Sequence, residues 1–298
     1  MKTPEYIEFL KTRISPNVKP EVAKLMIEYA LTPEEHEMAR RNIEQYCFTG
    51  MHPEETPKLY LIIAQTGGGK SSLTSNILKN NPNTVVIDSD AFKAFNPKRQ
   101  IISAKYPTLY GYLTGIDAYL HRDEIYKSAL EKGYNVLIEI APSTKERLFT
   151  IDFEELKHYG YAVDANILAV SLANSLLSVH ERFEGQIEAK MAAPKLTDFK
   201  RANDSFNAVD LVLEDLIKMP EVDLSIWQRG KDIVETSFDG YEEREIPQPI
   251  LLTTDKTKAV KAFNEARVRD DENTKLSAPA RIKIIKAQME TRKAPTEQ

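Results

Sequence analysis

Short apolar runs alternate with longer amphipathic stretches from residue 58 to about residue 245. Five runs rich in Ile, Val or Leu and bounded by turn residues predict β-strands, at 59–64, 84–88, 135–140, 165–170 and 223–228. Amphipathic stretches predict helices between them, at 72–79, 117–132 and 146–159. Near-continuous apolar strands are typical of a parallel sheet, because both of its faces are covered. The pattern therefore predicts an α/β fold, a parallel sheet sandwiched by helices.

Two flanking segments lack this alternation. Residues 1–57 are acidic, with apolar residues at helical spacing, so we expect short helices there. From Asp255 onward the chain carries eleven Lys or Arg and seven Asp or Glu, which is typical of a solvated helical appendage. We expect three units: a helical segment at 1–57, a catalytic domain at 58–245 and a helical, partly disordered tail at 246–298.

The composition is that of an ordinary folded protein. The 298 residues are 42% hydrophobic and 29% charged, and the net charge of −5 disfavours a nucleic-acid partner. The single cysteine, Cys47, cannot form an intrachain disulfide, which favours a reducing compartment. No apolar run approaches the roughly 18 residues of a membrane span, and the first residues do not resemble a signal peptide. We therefore expect a cytoplasmic protein without a membrane partner.

The stretch LYLIIAQTGGGKSSL carries the strongest chemical pattern. A strand running into a glycine turn and then a helix is suited to polyphosphate, because backbone N–H groups and the helix N-terminus point at the anion. Lys70 would reach the β- and γ-phosphates, and Ser71 would ligate magnesium. Ala64 replaces the first glycine of the full pattern, and a bland glycine-rich turn is the alternative. The predicted nucleotide site comprises Gly67, Gly68, Gly69, Lys70, Ser71 and Ser72.

Acidic residues follow two of the predicted strands. Asp88 and Asp90 come at the end of the second strand, where either could orient a hydroxyl and accept its proton, or simply cap a helix. Glu139 lies among apolar neighbours near the end of the third strand, where burying a carboxylate is costly without a partner. Asp123 is placed near the start of the preceding helix, where the helix dipole alone also favours an acid.

Basic residues after the fourth strand could stabilise a transferring phosphate, although most such residues on any helix are solvated. They are Arg182, Lys190, Lys195, Lys200 and Arg201. The five histidines have no metal-ligand spacing, so none is assigned to catalysis or to a metal.

Taken together, these motifs resemble the zeta toxin family of bacterial toxin–antitoxin kinases. The resemblance covers roughly residues 58–232 and rests on the order of five motifs: the glycine loop with VVIDSDAFK, then GYNVLIE, NSLLSVHERFE, KRAND and SIWQRG. It implies a P-loop kinase fold and ATP-dependent phosphorylation of a hydroxyl on the amino sugar of UDP-N-acetylglucosamine. It also implies a small helical antitoxin that blocks the ATP site, or an inhibitory helical segment on the same chain, for which residues 1–57 are long enough.

The resemblance also implies roles for individual residues. Asp90 matches the general base, Arg182 matches the first of two phosphate-binding arginines, and Glu139 and Asp123 match acids that contact the sugar nucleotide. Lys195 falls near the second arginine, where a lysine cannot make the bidentate contact.

Other departures are on the acceptor side, at Ile140, Ala141 and Asn96. They leave two alternatives open: a kinase of another nucleotide-like or nucleic-acid hydroxyl, and a degenerate module that binds nucleotide without turnover.

Overall fold

The protein is described by a computed structural model. It covers residues 2–143, 151–189, 196–230, 233–236, 242–245 and 248–272, together with 282, 283 and 286. Within these residues no helix is both long and apolar enough to cross a membrane.

A six-stranded sheet forms the centre of the molecule, in the order β2-β3-β1-β4-β5-β8. The first five strands along the chain are parallel and the last pairs antiparallel to β5. They are β1 (Lys58–Ile63), β2 (Thr84–Ile87), β3 (Asn135–Ile140), β4 (Ala162–Ala169), β5 (Val222–Gln228) and β8 (Ile250–Thr253). A separate antiparallel pair consists of β6 (Ile233–Thr236) and β7 (Glu242–Glu245).

The central strand β1 is buried on both faces, as its continuous apolar sequence predicts. Leu59, Leu61 and Ile63 join one apolar cluster, and Tyr60 and Ile62 join another, because successive side chains of a strand point to opposite faces. From β1 the chain builds β2 and β3 on one side and β4 and β5 on the other. Ligands of open α/β sheets bind in the crevice at such a switch point, beyond the carboxyl ends of the strands.

Helices cover both faces of this sheet. Their bounds are α1 (Pro4–Thr12), α2 (Pro20–Tyr29), α3 (Pro33–Phe48), α4 (Lys70–Asn80), α5 (Ser89–Phe92), α6 (Arg99–Lys105), α7 (Tyr110–Leu113), α8 (Gly115–Glu131), α9 (Phe153–His158), α10 (Leu172–Glu188), α11 (Phe199–Ile217) and α12 (Lys256–Glu272). Residues 146–150 of the predicted helix at 146–159 lie outside the described residues, and its described part contains α9.

The helices of residues 1–57 pack closely on the rest of the protein. Leu10 of α1 and Met26 of α2 share a buried cluster with Ile102, Leu113 and Ile116 of the region between β2 and β3. In α3, Ile43 and Cys47 join the main apolar cluster of the sheet. The α3 helix begins with a capping box between Thr32 and Glu35, which defines where it starts.

Residues 250–272, within the expected tail at 246–298, pack on the sheet, whereas a solvated appendage was expected. Strand β8 extends the main sheet, and α12 buries Ala259, Phe263 and Ala266 in the main apolar cluster. Those three residues recur at helical spacing, so one face of α12 is apolar although its overall charge is high. The expected boundary at 245/246 therefore separates β8 from the sheet to which it belongs. The high charge of this region did not indicate that one face of α12 packs in the core.

Candidate active site

A cavity of about 920 Å³ opens at the carboxyl ends of the parallel strands. Its wall is formed by the loop after β1, the ends of β2 and β3, one face of α8, and residues from α10, α11 and the loop after β5. The predicted residues that line it are Gly67, Gly69, Lys70, Ser71, Asp88, Asp90, Asp123, Glu139, Arg182 and Arg201. The other two predicted residues, Gly68, which is buried, and Ser72, which is half-buried in the first turn of α4, do not line it.

The glycine loop is tightly packed against α10. Gly67 has a φ of +81°, and a Cβ at this position would lie 2.1 Å from the carbonyl oxygen of Ser175. The fully buried side chain of Gln65 donates hydrogen bonds of 2.7 Å to the Val170 carbonyl and to Ser175 Oγ. Position 67 requires both a positive φ and space for the Ser175 carbonyl oxygen. Only glycine meets both requirements, so the loop conformation depends on it.

The same loop directs a cation and a helix N-terminus toward the cavity. Lys70 Nζ lies 3.3 Å from the Ala64 carbonyl and 3.4 Å from the Gln65 carbonyl, which keeps the ammonium beside the loop. Gly69, with a φ of +84°, is the residue directly before α4. The first N–H groups of that helix, which have no partner within the helix, therefore lie next to the loop. A Cβ at Gly68 would lie 2.9 Å from Ala64 Cβ, so the alanine that replaces the motif glycine is accommodated by glycine at 68.

Asp88 and Asp90 have different structural roles. Strand β2 ends at Ile87, so the two residues follow the strand and its alternation does not order them. Asp88 caps the short helix α5 by accepting a hydrogen bond of 2.8 Å from the N–H of Asp90. Asp90 is held by Lys93, whose Nζ lies 2.5 Å from Oδ1, and its side chain is 60% exposed in the cavity wall. The helix-capping alternative therefore describes Asp88.

Glu139 is exposed and lines the cavity near the end of β3. It accepts a hydrogen bond of 2.6 Å from Thr74 Oγ1 on α4. Residues 138 and 140 beside it in β3 are half-buried and buried. Glu139 therefore has both a hydrogen-bond partner and access to the cavity, so the cost of burying an unpartnered carboxylate does not arise.

Asp123 lies in the middle of α8, since this helix begins at Gly115, and the helix-dipole explanation does not apply to it. Its carboxylate is instead held between two guanidinium groups. Arg13, at the end of α1, donates to Oδ2 at 2.5 Å, and Arg122 donates to Oδ1 at 2.6 and 2.9 Å. Both arginines line the cavity, and Arg122 also lies over the ring of Tyr119.

Three arginines line the same cavity as the glycine loop. Arg182 belongs to α10, Arg201 lies in the first turn of α11, and Arg229 follows β5. Arg229 donates a hydrogen bond of 2.9 Å to Ser178 Oγ, and its Nε would be 4.0 Å from a Cβ built on Gly69. These guanidinium groups and Lys70 give the cavity a strongly cationic wall.

Among the described residues, one further basic candidate, Lys200, does not line the cavity. Lys200 is exposed and pairs with Asp204 at 2.6 Å, one turn along α11. Lys190 and Lys195 lie outside the described residues.

Sequence reasoning missed Arg13, Arg122 and Arg229. Arg229 could have been found, because it directly follows a predicted strand at its carboxyl end and belongs to the motif SIWQRG. Arg13 precedes Asp123 by 110 residues in the chain, and no local sequence pattern indicates the contact between them.

A central parallel sheet covered on both faces, with a glycine loop joining its middle strand to a helix, defines a P-loop kinase-like α/β protein. The family model described as Zeta toxin matches residues 44–234. The chain belongs to the zeta toxin family.

Individual relatives agree with this assignment. The chain is 31% identical over 147 residues to the toxin zeta of Enterococcus hirae and 30% identical over 147 residues to that of Streptococcus pyogenes, which covers 48% of this chain and 50% of each relative. It therefore spans about half the length of the curated relatives it matches. A structure from the PezAT toxin–antitoxin system of Streptococcus pneumoniae has a TM-score of 0.63 at 18% identity, covering 88% of this chain and 97% of that chain. This last similarity concerns the fold alone.

Proposed function

We propose that the protein is a cytoplasmic, ATP- and Mg²⁺-dependent phosphotransferase that phosphorylates a hydroxyl of a UDP-amino sugar, UDP-N-acetylglucosamine. The observation that carries this proposal is the arrangement of one cavity. The glycine loop with Lys70 lines this cavity together with a group of arginines. An acidic and cationic patch on α8 lines it as well, and so does Asp90.

The donor half is suited to a nucleoside triphosphate. Loop N–H groups and Lys70 would bind the β- and γ-phosphates, and Arg182, Arg201 and Arg229 supply guanidinium groups for the charge that develops during transfer. Ser71 and the carboxylates that line the same cavity offer oxygen atoms, and Mg²⁺ prefers oxygen ligands. These residues therefore fit the ion. When bound, Mg²⁺ would neutralise charge on the phosphates.

Asp90 is the group we assign as the general base. Its carboxylate would accept the proton of the acceptor hydroxyl while the acceptor oxygen forms a bond to the γ-phosphorus. The bond between that phosphorus and the β–γ bridging oxygen breaks, and ADP leaves. Lys93 holds Asp90 at 2.5 Å and so limits where the carboxylate can point.

The acceptor half combines acids with cations. Glu139 and Asp123 offer acceptors for sugar hydroxyls, consistent with the roles that the resemblance implies. Arg13 and Arg122 flank Asp123, so this corner has two positive charges for one negative charge. An acceptor that carries a diphosphate beside a sugar would complement the one excess positive charge of this corner as well as its acids, whereas a neutral alcohol would complement the acids alone.

The antitoxin hypothesis concerns the donor half. A small helical antitoxin, or the chain's own residues 1–57, would have to cover the glycine loop to block ATP. Among described residues of 2–57, Arg13 is the one that lines the cavity, and it does so beside Asp123. This placement supports a separate antitoxin over an inhibitory N-terminal segment.

The test is phosphate transfer from labelled ATP to a panel of acceptors: UDP-N-acetylglucosamine, other UDP-sugars, nucleosides, dinucleotides and an oligonucleotide end. We expect transfer to the UDP-amino sugar. Asp90→Asn should retain ATP binding and lose most transfer, because the loop does not need that charge. Transfer only to another alcohol would reject the acceptor, and an ATP-induced thermal shift without transfer to any acceptor would favour the module without turnover.

A further inference from the structure

Two histidines and a glutamate form a cluster on the side of α8 opposite the cavity. His36 lies in the first turn of α3, and His121 and Glu124 lie one turn apart on α8. The imidazole rings of His36 and His121 are stacked, with centroids 4.0 Å apart and planes inclined by 20°. One nitrogen of each ring and one oxygen of Glu124 lie within 4.8 Å of one another.

The separations within this cluster suit a small cation. His36 Nε2 lies 2.9 Å from Glu124 Oε2, and His121 Nδ1 lies 3.6 Å from the same oxygen. Ligands about 2.0–2.1 Å from a tetrahedral Zn²⁺ are about 3.3 Å from each other. The two distances bracket that value, and the three ligand atoms all lie within 4.8 Å of one another.

The buried histidine has no hydrogen-bond partner. His121 is 2% exposed, and neither of its ring nitrogens makes a hydrogen bond; His36 Nδ1 is also buried and unpaired. Buried polar atoms are normally satisfied, and an orphaned pair on one ring calls for a ligand. A bound cation uses one of these nitrogens as an electron-pair donor.

We infer that His36, His121 and Glu124 bind a divalent transition-metal ion, with Zn²⁺ the ion that this ligand set favours. Imidazole and carboxylate together suit zinc, whereas Mg²⁺ is held by oxygen ligands. The Glu124 side chain is 43% exposed, so a water molecule can complete the tetrahedron from that side. The ion would join α3 to α8 and thereby fasten residues 1–57 to the helix that carries Asp123.

The experiment measures Zn²⁺ binding to the full chain after chelation and removal of metal. We expect one Zn²⁺ per chain by calorimetry and elemental analysis, and visible d–d bands of a tetrahedral site when Co²⁺ is the probe. Zn²⁺ at 100 times its Kd should raise Tm by on the order of 5 °C, because it binds the native state. The same concentration of Mg²⁺ should leave Tm unchanged in the absence of nucleotide.

Variants locate the site. His36→Gln and Glu124→Gln should abolish the Co²⁺ bands and the Zn²⁺-dependent rise in Tm, whereas the exposed His158→Gln should behave as wild type. Both ligand variants alter partly accessible side chains, and circular dichroism of metal-free protein checks that they are folded. The inference is overturned if wild type binds no more Zn²⁺ than His36→Gln, or if the bands persist in both ligand variants. Because no readout depends on phosphate transfer, this result is independent of the proposed function.

Discussion

Substituting Gly67 by alanine tests whether the glycine loop owes its shape to its contact with α10. The added Cβ would lie 2.1 Å from the Ser175 carbonyl oxygen and 2.8 Å from Val179 Cγ2. Both atoms belong to a helix that is buried at this point, since Val179 is 0% exposed. The loop therefore has to move away, by about 1 Å, to reach an ordinary contact distance.

Two effects of this substitution can be separated by magnitude. A left-handed conformation costs a non-glycine residue about 1–2 kcal/mol, and alanine regains about 0.4–1 kcal/mol by restricting the unfolded chain. The net loss of stability from φ alone is thus about 1 kcal/mol. Displacing a phosphate-binding group by about 1 Å costs about 100-fold in rate, which is a separate effect on function.

Gly50→Ala is the matched control. Gly50 has a φ of +79° and no atom within 4 Å of an added Cβ, so this variant bears the backbone cost without a clash. Urea unfolding should show a loss of about 1 kcal/mol for Gly50→Ala and at least as much for Gly67→Ala. We expect kcat/KM for ATP to fall about 100-fold in Gly67→Ala alone. Equal ATP kinetics in the two variants would refute the argument that α10 shapes the loop.

Three further predictions concern the two halves of the cavity and the buried face of α8. Arg182→Lys should keep Tm and lose at least about 10-fold in kcat, because an ammonium cannot make the bidentate contact; wild-type kcat would identify a surface arginine. Arg13→Ala should raise KM for the acceptor and leave KM for ATP unchanged, and equal effects on both would contradict its placement. Burial raises the pKa of Asp117 from the ordinary 3.8 to about 6, although a hydrogen bond from the Leu31 N–H acts in the opposite direction. The protein is therefore most stable below pH 4, where Asp117 is protonated in both states, and it loses this stability as the pH rises through 6. Asp117→Asn should therefore exceed wild type in unfolding free energy by up to about 3 kcal/mol at pH 8 and match it at pH 4; an equal difference at both would refute the assignment.

The sheet could be predicted because its strands have to be apolar on both faces. The five predicted strands agree with β1 to β5 to within three residues at each end. Strand β8 was missed because it is an exposed edge strand with a short apolar run, ILLT, and does not follow the alternation of parallel units.

The site could be predicted only where its residues are close to a strand end. The glycine loop, Asp90 and Glu139 each follow or end a predicted strand, and the sheet then brings their strand ends together. The position of Arg13 depends on how α1 packs, and that packing involves an apolar cluster that joins Leu10 to Ile116 and other residues of a distant part of the chain. Likewise, His36 and His121 are 85 positions apart, so no ligand spacing reveals them.

Helix α8 connects the N-terminal segment to the acceptor half of the cavity. One face carries buried Ile116 and Asp117 against α1 to α3, and another presents Arg122 and Asp123 to the cavity. Removing residues 1–57 would uncover the apolar face of α8 and release Asp123 from Arg13, so lost activity after such a deletion would not show that the segment is needed for chemistry. Unchanged activity would be more informative, since it would require α8 to keep its position without this support. Point variants such as Arg13→Ala, which leave the apolar contacts intact, therefore separate the role of the segment in acceptor binding from its role in folding.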